Sequence, residues 1–266
     1  MKLGCCLNML GNGEEPIGRA FIETAQKAGY DYVELPLAQV MELDRQEFDG
    51  LLAQLGESGI CCRACNNFFP AAVRLTGEDV CPEKVKDYIK KAVERASRLG
   101  AGVIVFGSSG AKNVPEGFDH GRAREQIADV LRWADACTGA AGIRIAIEPL
   151  NRKESNIILS LTEGEELRRM AGVPSVRLLV DYYHFSMEKE EMGTLRRWMP
   201  QIAHVHFAEP EGRSFPELEK EDYAVFFGTL RDGGYDGLVS VEAYAREPER
   251  ALRRAVFLKK YLLRQR

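Results

Sequence analysis

Short apolar, β-branched-rich runs alternate along the whole chain with longer segments whose apolar positions recur every three or four residues. The short runs predict strands at Lys2–Asn8, Asp31–Leu35, Ile60–Asn66, Gly102–Phe106, Arg144–Glu148, Arg177–Asp181, Ile202–His206 and Leu238–Glu242. The longer segments predict helices at Ile17–Ala28, Gln46–Ser58, Pro82–Leu99, Gly121–Ala141, Thr162–Met170, Glu188–Trp198, Lys220–Asp232 and Glu249–Leu263. In the fourth of these, Ile127, Val130, Leu131 and Ala134 form one apolar stripe. Glycines mark the helix ends at Gly29, Gly59, Gly100, Gly142, Gly172 and Gly233–Gly234.

Strict strand–helix alternation predicts a parallel sheet with helical crossovers. Eight units of about 33 residues each, a normal size for one βα unit, suit an α/β protein of the (β/α)8 TIM barrel class, with one domain over residues 1–266. An open doubly wound sheet would carry a Gly-rich turn opening its first helix. The corresponding turn, NMLGNGEEP, has Gly11 and Gly13 but no G-x-G-x-x-G. No composition break or low-complexity linker divides the chain.

Composition narrows the class of partner. The 266 residues carry a net charge of −4, with a pI near 5.8. That balance argues against nucleic acid, whose binders show a basic excess. No apolar run is long enough for a membrane span, and the N-terminus does not read as a signal peptide. Seven cysteines, an odd number, suit reduced thiols in a cytoplasmic protein better than a disulfide framework. Cys62 and Cys65 have C-x-x-C spacing but sit in a predicted strand without a second ligand pair.

In a barrel of this kind the chemistry gathers where the strands end. The last four strands end in Glu148, Asp181, His206 and Glu242, separated by 33, 25 and 36 residues. Three carboxylates converging on one axis repel one another unless a cation lies between them. A divalent metal held by three carboxylates and one imidazole resolves the conflict. Mixed oxygen and nitrogen ligation suits Mn²⁺ first, with Co²⁺, Mg²⁺ or Zn²⁺ as alternatives. Asn8, Glu34 and Asn66, at the ends of the first three strands, are candidate substrate contacts; Glu34 and Asn8 could equally hydrogen-bond within the barrel.

On these residues the chain resembles the xylose-isomerase-like TIM barrels of the sugar-phosphate isomerase/epimerase group, and especially the ketose 3-epimerase branch. The family segment E-x-x-N-R appears as Glu148-Pro149-Leu150-Asn151-Arg152, with a further acid at Glu154. D-x-x-H appears as Asp181-Tyr182-Tyr183-His184, and H-x-H as His204-Val205-His206, followed by Arg213. The resemblance implies that Glu148, Asp181, His206 and Glu242 bind the metal. It implies that the metal polarises the carbonyl of an open-chain ketose, that Glu148 and Glu242 move the proton on the neighbouring carbon through a cis-enediolate, and that His184, Arg213 and Glu154 contact the substrate. The partner is then a small sugar, with no membrane or nucleic acid. Dimers or tetramers are frequent in the family, so a homodimer or homotetramer is open.

Two other activities share these parts. A metal-dependent lyase or dehydratase on a keto-sugar, keto-inositol or oxidised C-glycoside would remove the same proton and then expel a β-substituent. A family-two AP endonuclease shares the barrel but needs additional histidines for three zinc ions, and this chain has only His120, His184, His204 and His206. His204 lies two residues before His206, about 6–7 Å deeper along the strand, which suits an interior or supporting position. Lesser candidates are the loop Gly107–Ala111 as a phosphate seat, Asn66–Pro70 as an apolar wall, a subunit contact or core packing, and Arg246 as a phosphate contact or a surface residue. The C-terminal cations Arg253, Arg254, Lys259, Lys260, Arg264 and Arg266 read as a solvated helix face.

Overall fold

The computed structural model describes residues 1–11 and 13–263. Arg264 and Arg266 lie outside it. Eight parallel strands close into one barrel in chain order: β1 Lys2–Cys6, β2 Tyr32–Pro36, β3 Cys62–Asn66, β4 Val103–Phe106, β5 Arg144–Ile147, β6 Val176–Asp181, β7 Ile202–Phe207 and β8 Leu238–Val241. Parallel pairing of β1 with β8, with Gly4 opposite Ser240, completes the ring.

All eight predicted strands are present, and their limits move by a few residues. β1 stops at Cys6, and Leu7–Met9 turn into a 3₁₀ segment that carries Asn8. β5 and β8 end one residue before Glu148 and Glu242. The helix expected over Ile17–Ala28 begins as a 3₁₀ turn at Arg19 and is α-helical only from Ile22. That expected over Glu249–Leu263 breaks into Pro248–Ala255, a 3₁₀ turn and Lys259–Leu262. Short helices at Leu37–Glu42, Ser109–Lys112 and Tyr182–Met187, too brief to show a period, follow β2, β4 and β6.

Local chemistry accounts for the helix ends. Asp44 caps Arg45–Ser58 through a capping box with Glu47, both bonds at 2.8 Å. Gly29, Gly59, Gly100, Gly142 and Gly172 close their helices in the left-handed conformation. After Glu221–Asp232 that conformation falls on Gly234, while Gly233 keeps a negative φ.

The main apolar core lies between barrel and helices. Inside the barrel the filling is divided. Ala64, Val103, Val105, Ala146 and Leu179 form an apolar half, whereas Tyr32, Glu34, His204, His206 and Ser240 form a buried polar half beside β1 and β8. Gly4 makes room for that half: a Cβ there would lie 2.2 Å from the Tyr32 ring. No helix of the described residues is long and apolar enough to cross a membrane.

Candidate metal centre and sugar site

Four strand ends bring Glu148, Asp181, His206 and Glu242 together. One ligand-capable atom from each lies within 4.8 Å of the others, and all four residues are buried. His206 Nδ1 lies 3.1 Å from Glu148 Oε1 and 3.1 Å from a Glu242 oxygen. Its other nitrogen, Nε2, lies 3.0 Å from Glu34 Oε1. With acceptors on both edges the ring carries two protons, and Glu242 and Glu34 hold its pKa well above the ordinary value although burial works against the charge.

The remaining charge balance comes from Arg213, which follows the left-handed Gly212 and itself has φ of 46°. That conformation is uncommon for a side-chain-bearing residue. Its guanidinium donates to Glu242 Oε2 and lies 3.4 Å from both Asp181 Oδ2 and Glu154 Oε2. The ring of Tyr183 lies beneath it, 5.0 Å from Cζ.

The acids respond differently. Burial, with Glu148 and Glu242 nearby, pushes the Asp181 carboxyl up to about 7 despite Arg213. Burial also acts on Glu242, but His206 and Arg213 prevail and hold it well below the usual range. The donor set therefore fits a divalent cation. Such an ion would replace the Nδ1 proton and would offset both the burial and the neighbouring acids that raise Asp181.

His184 is arranged as a donor. Its Nδ1 accepts from the backbone N–H and the side-chain amide of Asn151, at 3.2 and 2.8 Å. That places the ring proton on Nε2, which is buried without a hydrogen-bond partner, 3.5 Å from Asp181 Oδ2. Burial and Arg213 lower the His184 pKa to about 3, so the ring is neutral. A buried N–H without an acceptor is expensive.

Asn66 donates to Glu242 Oε1 at 2.9 Å and to Asn8 Oδ1 at 3.0 Å, which fixes one edge of that carboxylate. Glu154 is half-exposed beside Arg213 and accepts from Asn151 at 3.0 Å.

Of the two roles open to Glu34, substrate contact and hydrogen bonding within the barrel, the structure shows the second. Glu34 is fully buried, and its oxygens accept from His204 at 2.8 Å, His206 at 3.0 Å and Ser240 at 2.6 Å. It supports the imidazole from below and offers no free edge to a sugar. Cys6, Glu34 and His206 form a second ligand-capable group, already joined by these bonds and by a Cys6–His206 contact of 3.9 Å.

Several lesser candidates also find other work. Phe68 and Phe69 are buried and stack with centroids 4.2 Å apart, so they pack the core. Ser108 accepts from Phe69 N at 3.0 Å, and Gly107 lies against the Glu148 carboxylate, so that loop is occupied by its own contacts. Arg246 is exposed beside Tyr244. Arg253 and Arg254 pair with Glu249 and Glu217 on the surface. Cys62 and Cys65 are buried free thiols.

Sequence reading missed Lys112. Its ammonium is buried at the β4 end, and burial lowers its pKa to about 8. A lone lysine in a Gly/Ser loop gives no signal of this.

The family model described as xylose isomerase-like TIM barrel matches residues 22–261. A ketose 3-epimerase of Arthrobacter globiformis is 28% identical over 256 residues, covering 92% of this chain and 84% of that protein. A D-psicose 3-epimerase of Agrobacterium fabrum is 23% identical, covering 85% and 79%. Among solved structures, a D-allulose 3-epimerase from Methylomonas sp. in complex with D-allulose superposes with a TM-score of 0.86 at 21% identity, covering 99% of this chain and 97% of that one. That likeness speaks for the fold, and the family match covers most of the chain. The chain belongs to the xylose isomerase-like TIM barrel family.

Proposed function

We propose that this enzyme is a divalent-metal-dependent sugar epimerase or isomerase that moves a proton at the carbon next to a ketose carbonyl. The observation that carries the reading is that Glu148 and Glu242, on two different strand ends, each lie 3.1 Å from the same His206 nitrogen. Two carboxylates therefore face one small volume, as removal of a proton and its return on another face require. Relatives that match most of the chain and are named ketose and D-psicose 3-epimerases support it.

Glu148, Asp181, His206 and Glu242 would hold the ion, with Mn²⁺ the best match to three oxygens and one nitrogen. When bound, the metal acts as a Lewis acid that makes the hydrogen beside the carbonyl more acidic. Glu148 or Glu242 takes that proton, and the other returns one, with roles exchanged for the reverse reaction. The Nε2–H of His184 and the guanidinium of Arg213 donate to substrate oxygens that gain charge. Glu154 orients Arg213 from its far side.

The test is metal analysis combined with a panel of ketoses, ketose phosphates and hydroxypyruvate in deuterated water, followed by NMR. Metal-dependent exchange of a substrate C–H, lost about 10²-fold or more in Glu148→Gln and Glu242→Gln, is the expected result. A purified chain without metal, or with no exchange on any sugar, would overturn the reading. An unsaturated product or a released aglycone would assign a lyase instead.

A further inference from the structure

The loop Gly107–Lys112 after β4 is left over by this reaction, and it contains a buried lysine. Lys112 is completely buried. An ammonium in that setting normally needs a close anion. Among the described residues no carboxylate pairs with it directly.

Its Nζ instead donates to the backbone oxygen of Gly107 at 2.6 Å and lies 3.5 Å from the backbone oxygen of Glu148. These two carbonyls follow the ends of adjacent strands, β4 and β5. Gly107 is also where the Glu148 carboxylate rests: a Cβ at 107 would lie 1.9 Å from Oε2. The lysine's own backbone is fixed, with its N–H on Ser108 O at 3.1 Å and its oxygen accepting from Thr76 at 3.2 Å.

We infer that Lys112 is a positioning residue for Glu148. It ties the ends of β4 and β5 and so sets the carboxylate on the Gly107 backbone, facing His206. The inference rests on the proposed role of Glu148. Core filling alone would not require a charged donor, since methionine has similar size and no desolvation cost.

The variants are Lys112→Met, Lys112→Gln, and Gly107→Ala, which displaces the carboxylate while keeping the lysine. The readouts are the melting temperature of the metal-free protein, the visible spectrum of the Co²⁺-loaded protein, and kcat and KM for deuterium exchange. Lys112→Met is expected to melt within about 4 °C of wild type. Its Co²⁺ bands should shift and its kcat fall about 10-fold or more, with KM within about threefold. Lys112→Gln, which keeps a donor, should lie between, and Gly107→Ala should shift the bands with Lys112 intact.

Wild-type bands and kcat in Lys112→Met would overturn the inference and leave the proposed function standing. So would a loss of activity that only follows a loss of stability. If Lys112→Met does not fold, Lys112→Gln decides on the same readouts. A wild-type chain that takes up no Co²⁺ and exchanges no sugar proton overturns the proposed function, and this inference with it.

Discussion

Glu34 holds His206 from behind: its Oε1 lies 3.0 Å from the imidazole Nε2, on the edge opposite Glu148 and Glu242. The bond turns Nδ1 toward the three acids and makes the ring a stronger donor to a cation. Glu34 is itself fixed by His204, Ser240 and, through Ser240, the hydroxyl of Tyr32 at 2.8 Å.

Replacing Glu34 by Gln should therefore weaken divalent-metal binding about 10- to 100-fold, the usual cost of losing such a support. Competition against a chromophoric chelator measures it. Unchanged affinity would reduce Glu34 to barrel filling.

Arg213 should matter most when no metal is present. Arg213→Met leaves Asp181 and Glu242 without their guanidinium, and breaking a buried pair from one side costs about 3–5 kcal/mol. The melting temperature of the chelator-treated variant should fall by roughly 6 °C or more. Added Mn²⁺ should restore most of the loss, because it supplies the missing charge. Calorimetry with and without metal checks both parts.

Gly4→Ala tests the polar half of the barrel. Its methyl group would lie 2.2 Å from the Tyr32 ring, so ring or strand must move. A destabilisation of about 1–3 kcal/mol is expected, read by urea denaturation, together with weaker metal binding as the Tyr32–Ser240–Glu34 chain shifts.

Glu190 gives a pH dependence away from the metal. Burial, with Glu163 and Glu188 nearby, raises its carboxyl to about 7 although the Leu161 N–H favours the charged form. The folded protein therefore binds this proton more tightly than the unfolded chain. Stability from this group is present below about 4.5 and declines as pH rises toward 7. Glu190→Gln removes the decline, so its gain in melting temperature over wild type should be larger at pH 8 than at pH 5. Equal gains would remove Glu190 as the cause.

The barrel was legible because each βα unit repeats two signals that depend only on neighbours in sequence: an apolar run and a three-to-four-residue stripe. The four metal candidates were legible because a parallel barrel sends all its strand ends to one rim, so Glu148, Asp181, His206 and Glu242 needed only their strand positions. The short helix Tyr182–Met187 escaped because six residues make fewer than two turns. Lys112 escaped because its significance lies in its complete burial, which no local pattern records.

Local pattern along the chain was enough for the alternation, the strand-end acids and histidine, and the two-residue step that points His204 and His206 to the same side. Chain folding was needed to show that Glu34 supports His206, that Asn151 leaves His184 with an unpaired Nε2–H, and that Lys112 Nζ meets the backbone oxygens of Gly107 and Glu148. Periodicity is a property of one segment and survives in the unfolded chain. Hydrogen-bond partnership and desolvation arise between segments far apart in the chain, 208 residues for Tyr32 and Ser240, and exist only once the barrel has closed.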